Sequence, residues 1–127
     1  MNDELIIISN NPLVIANYNK VKAINGDIIT LLNYVRDSVH LGHRLLTHPL
    51  AGSLKPNESP YKSVVISQYA SGLDEESLSI IEGSLQVAQK MLTERPLPQW
   101  NERINDDFKI IDRSLLDSAL ASLSNLK

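Results

Sequence analysis

The sequence predicts an α/β protein, a three-layer sandwich around a small, mostly parallel four-stranded sheet of the Rossmann-like or flavodoxin-like type. Short apolar runs alternate along the chain with stretches whose apolar residues recur every three or four positions. The first pattern is typical of buried strands and the second of amphipathic helices. Because the order is β-α-β-α-β-α-β-α, and right-handed crossovers join parallel strands, a mostly parallel sheet is expected. With 127 residues the chain should form one domain, residues 1–127.

Four segments are the predicted strands of this sheet. Residues 5–8 (LIII) form an unbroken apolar run that ends at a Ser-Asn-Asn-Pro turn, which suits a strand buried on both faces. Residues 63–67 (SVVIS) repeat that kind of run, whereas residues 21–24 (VKAI) give a weaker signal. Residues 108–112 (FKIID) complete the four-stranded sheet.

Start and stop signals place the first two helices between these strands. Asn11 followed by Pro12 predicts an N-cap and the first position of a short helix over residues 13–19. The second helix is expected to begin at Asp27 and to stop at Gly42. Its apolar positions share one face: Ile28, Leu31, Leu32, Val35 and Val39.

The third and fourth helices follow from the same kinds of signal. Asp74 can cap a long helix that has two glutamates in its first turn and is closed by Pro96. The connection after it holds the only tryptophan, Trp100, which is expected to pack down as an anchor. Ser114 and Asp117 resemble a capping box, so the last helix should start there. Its leucines belong either to the core or to a partner surface: Leu120, Leu123 and Leu126.

Composition and charge exclude several classes of function. The formal net charge of −3 and the lack of an arginine-rich stripe argue against a nucleic-acid-binding protein. The chain has no cysteine, which excludes disulfides, thiolate metal sites and thiol catalysis. The acidic start and the apolar run of four residues behind it fit neither a signal peptide nor a membrane span. We therefore expect a cytoplasmic protein that binds neither nucleic acid nor membranes.

The segment of residues 39–62 (VHLGHRLLTHPLAGSLKPNESPYK) gathers all three histidines of the chain, His40, His43 and His48. Irregular segments of about 20 residues are uncommon in compact domains and tend to be functional or disordered. Three imidazoles could hold a zinc ion and leave one position open for water, but their spacing matches no zinc signature. Structural roles for the histidines are the stronger alternative. Neither a metal site nor a cofactor is therefore assigned.

An anion site is the second chemistry that this segment offers. Ammonium groups, an amide and a phenol around a turn-rich backbone can hold a phosphate or a carboxylate. The pattern of a Walker-type phosphate loop is absent, and packing or partner contact is the alternative use. Asn10 and Asn11 join the set, because a helix N-terminus attracts anions, although asparagine is equally common there as a plain cap. The other predicted ligand-binding residues are His43, His48, Lys55, Asn57, Tyr61 and Lys62, with Ser53 beside them.

Ligands of such folds bind beyond the carboxyl ends of the parallel strands. The residues expected there are Ser9, Asn10, Asn11, Ser67, Gln68 and Asp112. The helix that ends near His40 should deliver the histidine segment to the opposite edge of the sheet. A segment of this length could nevertheless cross over, at up to roughly 3.3 Å per residue. The sequence is compatible with one shared site and with two separate sites.

Two stretches of the chain resemble a known family. Residues 7–14 (IISNNPLV) and 35–67 (VRDSVHLGHRLLTHPLAGSLKPNESPYKSVVIS), with the overall length, resemble the GrdX proteins, which are encoded beside the glycine reductase genes of amino-acid-fermenting anaerobic bacteria. The resemblance implies an accessory role, with glycine reductase components as partners, rather than a particular reaction. Glycine reductase works through selenocysteine and cysteine, and this cysteine-free chain resembles no catalytic component of it.

The residues and the resemblance together lead to two hypotheses. The first is an accessory protein whose residues 40–62 contact a small anionic ligand or a protein partner. The second is a small enzyme that uses a histidine base or a metal site on a carboxylate or phosphate substrate. An enzyme requires two or three histidines to face one cleft beside a lysine, whereas a binding protein lets them point apart.

Overall fold

The computed structural model describes residues 4–50, 52 and 54–124 of the chain. In chain order the elements are β1 (Leu5–Ser9), α1 (Pro12–Asn17), β2 (Val21–Ala23), α2 (Ile28–His40), β3 (Ser63–Ser67), α3 (Glu75–Glu94) and α4 (Glu102–Ser124). The first six elements confirm the predicted order of strands and helices. Ser53, expected at the anion site, and Leu126, expected on the last apolar face, lie outside the described residues.

The three strands form a mixed sheet in the order β2-β1-β3. β1 and β2 are parallel, with Ile7 opposite Val21, whereas β1 and β3 are antiparallel, with Ser9 opposite Ser63. The chain is α/β, but the expected four-stranded, mostly parallel sheet of the Rossmann-like or flavodoxin-like type is wrong.

The reversed direction of β3 changes which residues share an edge of the sheet. The start of β3 lies beside the ends of β1 and β2, and we name this edge, with Ser9, Ala23 and Ser63, the carboxyl edge. Ser67 and Gln68, which were expected there, lie at the opposite edge. Lys62, which immediately precedes β3, is delivered to the carboxyl edge instead.

The predicted fourth strand, residues 108–112, lies inside α4. Of its apolar residues, Ile110 and Ile111 are exposed. Phe108 belongs to a longer series at helical spacing: Ile104, Phe108, Leu115, Leu116, Ala119, Leu120 and Leu123. The side-chain oxygen of Asn101 accepts the Ile104 N–H at 2.9 Å, as an N-cap does, and so starts the helix. The predicted capping box is wrong for the same reason, because Ser114 and Asp117 lie in the middle of α4.

Helices cover both faces of the sheet. Alternate side chains of a strand point to opposite faces. Ile8, Val64 and Ile66 pack against α2 and α3, while Ile7 and Val65 pack against α1 and α4. Burial on both faces explains why β1 and β3 are nearly continuous apolar runs in the sequence.

The predicted starts of α1, α2 and α3 are confirmed, whereas α1 ends at Asn17 rather than at residue 19. Side-chain oxygens of Asn11, Asp27 and Asp74 accept N–H groups from the first turns of these three helices. α2 ends just before Gly42, whose N–H reaches the Val39 carbonyl at 2.9 Å. Gly42 has a φ of +109°, a conformation that residues with a side chain rarely adopt.

The connection from α2 to β3 crosses the sheet by running along β3. The Ser67 N–H donates to the Arg44 carbonyl at 2.8 Å, and the Leu46 N–H donates to the Val65 carbonyl at 2.9 Å. These bonds carry the chain antiparallel to β3, away from the edge where α2 ends. His48 and the residues after it are thereby brought toward the carboxyl edge.

Trp100 anchors the connection between α3 and α4, as expected. Its indole N–H donates to the Glu58 carbonyl at 2.7 Å, and its ring packs on Phe108 with the ring centroids 5.8 Å apart. This contact attaches the α3–α4 connection to the segment that precedes β3.

The Asp74 cap of α3 gives the protein a pH-dependent contribution to stability. Hydrogen bonds from the hydroxyl and the N–H of Ser77 hold the pKa of Asp74 below its ordinary value of 3.8. The contribution is therefore complete above that value and is lost as the pH falls through the lowered pKa of the folded state. An asparagine cap does not titrate, so the advantage of wild type over Asp74→Asn should shrink on acidification. Urea unfolding of both proteins at about pH 6 and about pH 3 measures this, and a constant difference would contradict it.

Candidate functional site

A buried carboxylate connects three segments at the carboxyl edge. Asp112 on α4 is 4% exposed, and its Oδ2 accepts hydrogen bonds from Asn11 Nδ2 at 2.9 Å and from Ser63 Oγ at 2.8 Å. Ser63 Oγ lies 2.8 Å from Ser9 Oγ, which in turn accepts the Asn11 N–H. Because buried polar groups are costly unless they are paired, this network holds α4 against the ends of β1 and β3.

Lys62 lies near this network, and none of the described side chains binds its ammonium group directly. Only 7% of the residue is exposed, yet within the described ranges its side chain makes neither a hydrogen bond nor an ion pair. Burial lowers the pKa of Lys62, and the negative charge of Asp112 offsets part of that effect. The backbone N–H of Lys62 donates to Asn10 Oδ1 at 2.8 Å, which fixes the residue in place. An anion that meets this ammonium would find it unpaired.

Lys62 and Asp112 line a small open cavity of about 90 Å³, which we name the Lys62 cavity. Its other polar residues are Thr47, His48 and Ser63, and leucines of α4 supply an apolar wall. Lys62 is thus the one lysine among these lining residues, and Asp112 is the one carboxylate.

Two other side chains of the cavity, Thr47 and His48, have hydrogens to donate. The Thr47 hydroxyl accepts the Val65 N–H at 3.0 Å, so its own hydrogen is not used in that bond. His48 Nδ1 accepts the Leu50 N–H at 3.1 Å, so the neutral ring carries its proton on Nε2. The cavity therefore combines the Lys62 ammonium with two further hydrogen-bond donors.

A larger groove opens at the same edge, and we name it the strand-end groove. Its volume is about 370 Å³ and most of its walls are apolar, from residues such as Ile28, Leu92 and Tyr61. Asn10 lines it, but Asn10 Nδ2 already donates to the Gly26 and Pro60 carbonyls. The Asn10 amide therefore holds the walls of the groove together and has no hydrogen left for a ligand.

The structure brings several predicted residues to these two depressions. His48 and Lys62 line the Lys62 cavity, while Asn10 and Tyr61 line the strand-end groove. Asn11 caps α1 and supports the cavity indirectly through its bond to the Asp112 carboxylate.

The other predicted site residues lie elsewhere. His43 is at the opposite edge of the sheet, where its Nδ1 donates to the Ser67 carbonyl at 2.8 Å. Lys55 is exposed in a turn. Asn57 is buried, with its Nδ2 bonded to the Met91 carbonyl at 3.3 Å and its Oδ1 unpaired among the residues described. None of the three lines the Lys62 cavity or the strand-end groove.

The three histidines do not converge on one place. His40 is exposed at the end of α2, with its Nε2 3.5 Å from Glu82 Oε2, and only His48 reaches the Lys62 cavity. In the part of the chain that the structure describes, no group of three or more histidine, aspartate or glutamate side chains is placed to hold a metal ion. The chemistry of the site therefore centres on Lys62.

Asp112 was expected at the carboxyl edge as the end of a strand, but it reaches that edge from α4. The available signal is a carboxylate in the apolar stripe of a helix, between Phe108 and Leu116. Thr47 and Ser63 were not predicted as site residues, and nothing in their sequence context distinguishes them from the other hydroxyl residues of the chain.

The fold and the site define a small α/β protein with a mixed three-stranded sheet and a lysine-containing cavity at one edge of that sheet. A family model described as GrdX-like protein matches residues 6–121 of the 127-residue chain. The chain therefore belongs to the GrdX-like protein family, which confirms the resemblance found in the sequence. Searches of curated proteins and of solved structures found no match. None of the helices in the described ranges has the length and apolar character needed to cross a membrane.

Proposed function

We propose that this GrdX-like protein binds a small carboxylate in the Lys62 cavity. The observation that carries the proposal is the Lys62 side chain, which is almost fully buried and has no polar partner in the described part of the chain. An anion that pairs with the ammonium would offset the cost of its burial, and hydrogen bonds between charged groups are the stronger ones. Binding would thus draw on a group that the fold itself leaves unpaired.

The size and the charge of the cavity favour a small carboxylate. One water needs about 10–15 Å³ of such volume, so about 90 Å³ accommodates roughly six to nine atoms of that size. This suits a two-carbon or three-carbon acid. Asp112 in the same lining disfavours an anion with more than one negative charge, such as phosphate.

A carboxylate-binding protein fits an accessory role beside glycine reductase. The family name supports that association, and an enzyme that reduces glycine handles two-carbon carboxylates. We propose that glycine reductase components are the protein partners of this chain. The cytoplasmic location expected from the sequence stays a prediction.

Acetate is the probe that tests carboxylate binding. Acetate should raise the midpoint of thermal unfolding of the wild type, and this effect should be lost in Lys62→Met, which lacks the ammonium. Binding should also weaken as the pH rises, because only protonated Lys62 attracts the anion. Since burial lowers the pKa of Lys62, the decline should begin below the ordinary lysine value of 10.5. Calorimetric titration over a series of pH values measures both effects.

Lys55→Met is the matched control for this experiment. Lys55 is exposed and lies outside both depressions, so the variant should bind acetate as the wild type does. Equal acetate binding by wild type and Lys62→Met would overturn the proposal, and so would a wild type that binds none of acetate, glycine and phosphate. Tighter binding of phosphate than of acetate would overturn the choice of a carboxylate.

The enzyme hypothesis has one observation in its favour, which is that His48 lines the Lys62 cavity beside a lysine. His40 and His43 lie elsewhere, so the requirement for two or three histidines in one cleft is not met within the described residues. Binding therefore stands ahead of a reaction driven by a histidine base.

A further inference from the structure

We propose that the amine of Lys62 condenses with the carbonyl carbon of a small 2-oxo acid to form an imine. This inference rests on the proposed function: the Lys62 ammonium would attract the carboxylate of the oxo acid into the cavity, and the Thr47 and His48 donors would hold that carboxylate once Lys62 reacts as the free amine. The geometry that supports it is a lysine that is 7% exposed and a cavity lining that places Asp112 and Ser63 with it. Imine-forming lysines in proteins are activated by burial, which favours the uncharged amine.

The condensation needs no further reactant. The nitrogen lone pair of Lys62 attacks the carbonyl carbon, and the π electrons of the C=O bond move to the oxygen. The amine loses two protons and the carbonyl oxygen gains two. The oxygen then leaves as water when the C=N bond forms. The Ser63 hydroxyl and the Asp112 carboxylate, joined by a hydrogen bond of 2.8 Å, line the cavity and can relay these protons.

Lys62 differs from other lysines of the chain in the features that control this reaction. Burial lowers the pKa of Lys62, so at neutral pH the fraction of Lys62 present as free amine is larger than that of an exposed lysine. Lys109 is the opposite case, because its hydrogen bond to Asp106 raises its pKa. Lys55 is exposed. A carbonyl reagent at neutral pH should therefore select Lys62 over both.

Reductive trapping with glyoxylate tests the inference. The full chain is incubated at neutral pH with glyoxylate and cyanoborohydride, which reduces an imine to a stable secondary amine, and its peptides are analysed by mass spectrometry. Lys62 should gain a carboxymethyl group several times faster than Lys55 or Lys109, because burial lowers the pKa of Lys62 and leaves more of its side chain as free amine. Lys62→Arg should lose that product while labelling of Lys55 and Lys109 stays as in the wild type.

Acetate separates this inference from the proposed function, because acetate pairs with an ammonium but does not form an imine. In the wild type, saturating acetate should slow the labelling of Lys62 and leave that of Lys55 unchanged. If acetate binds but Lys62 is labelled no faster than Lys55, the imine proposal is overturned and the proposal of carboxylate binding stands. If the wild type neither binds acetate nor shows selective labelling of Lys62, both proposals are overturned. Selective labelling of Lys62 that acetate does not slow would overturn carboxylate binding at Lys62 and, with it, an imine that depends on that binding.

Discussion

Replacing Lys62 by methionine is expected to stabilise the protein by roughly 1–2 kcal/mol. Methionine keeps an unbranched chain and removes an ammonium that is buried and, among the described residues, unpaired. Replacing buried charges by apolar side chains of similar volume often raises stability, because the cost of desolvating the charge disappears. Unfolding in urea at neutral pH should show a higher midpoint with an unchanged slope.

The gain in Lys62→Met should shrink at alkaline pH. The pKa of Lys62 is lowered in the folded state, so between that value and 10.5 the unfolded chain binds more protons than the folded one. Wild-type stability therefore rises across this window, and the two proteins converge. Lys55→Met, at an exposed position, should change stability by less than about 0.5 kcal/mol. A Lys62→Met variant less stable than the wild type would mean that the ammonium is well paired in solution.

Lys62 is predicted to lower the stability of the fold, although methionine at the same position would not. Such a residue is expected at a functional site. Positions where a natural protein breaks a local rule of stability are expected to be functional or strained sites. The same substitution is predicted to increase stability and to abolish acetate binding. These two effects of opposite sign distinguish Lys62 from a lysine that serves only packing.

The sequence predicted helix ends and buried strands well because their signals are local. Asn11, Asp27 and Asp74 act as caps whatever the rest of the fold does, and β1 and β3 are apolar because both their faces are covered. The predicted strand over residues 108–112 was wrong because five residues are too few to separate a strand from part of a helix, and two of its apolar residues, Ile110 and Ile111, are exposed on α4. Only the apolar series that repeats at helical spacing along the whole of α4 identifies that segment as helical.

The direction of β3 depends on contacts that are distant in sequence. The α2–β3 connection first pairs with β3 near Arg44 and then turns back to enter β3 at Ser63. No pattern in the sequence of this connection predicts that β3 runs antiparallel to β1. The length of the connection is explained by this path, because the chain must travel along β3 before it turns back. Lys62 and His48 were predicted from residue type alone. Asp112 was predicted at the carboxyl edge, but as the end of a strand rather than as a residue of α4.

Replacing Asp112 by alanine is expected to destabilise the protein by roughly 3–4 kcal/mol, because two hydrogen bonds to a charged acceptor are lost. Asn11 Nδ2 and Ser63 Oγ would each lose the oxygen to which they donate at the carboxyl edge. Since these bonds tie α4 to the ends of β1 and β3, the loss should appear in the global unfolding transition. Urea unfolding followed by far-ultraviolet circular dichroism measures it.

Two further variants separate the hydrogen-bond network from the charge of Asp112. Asp112→Asn keeps a side-chain oxygen that can accept from both Asn11 and Ser63, so it should lose clearly less stability than Asp112→Ala. Asp107→Ala, at an exposed position of the same helix, should change stability by less than about 0.5 kcal/mol. Equal losses in Asp112→Asn and Asp112→Ala would show that the negative charge near Lys62, rather than the network, stabilises the fold. A loss below about 1 kcal/mol in Asp112→Ala would show that the network does not hold α4 in place, and the wall of the Lys62 cavity would then need another source of rigidity.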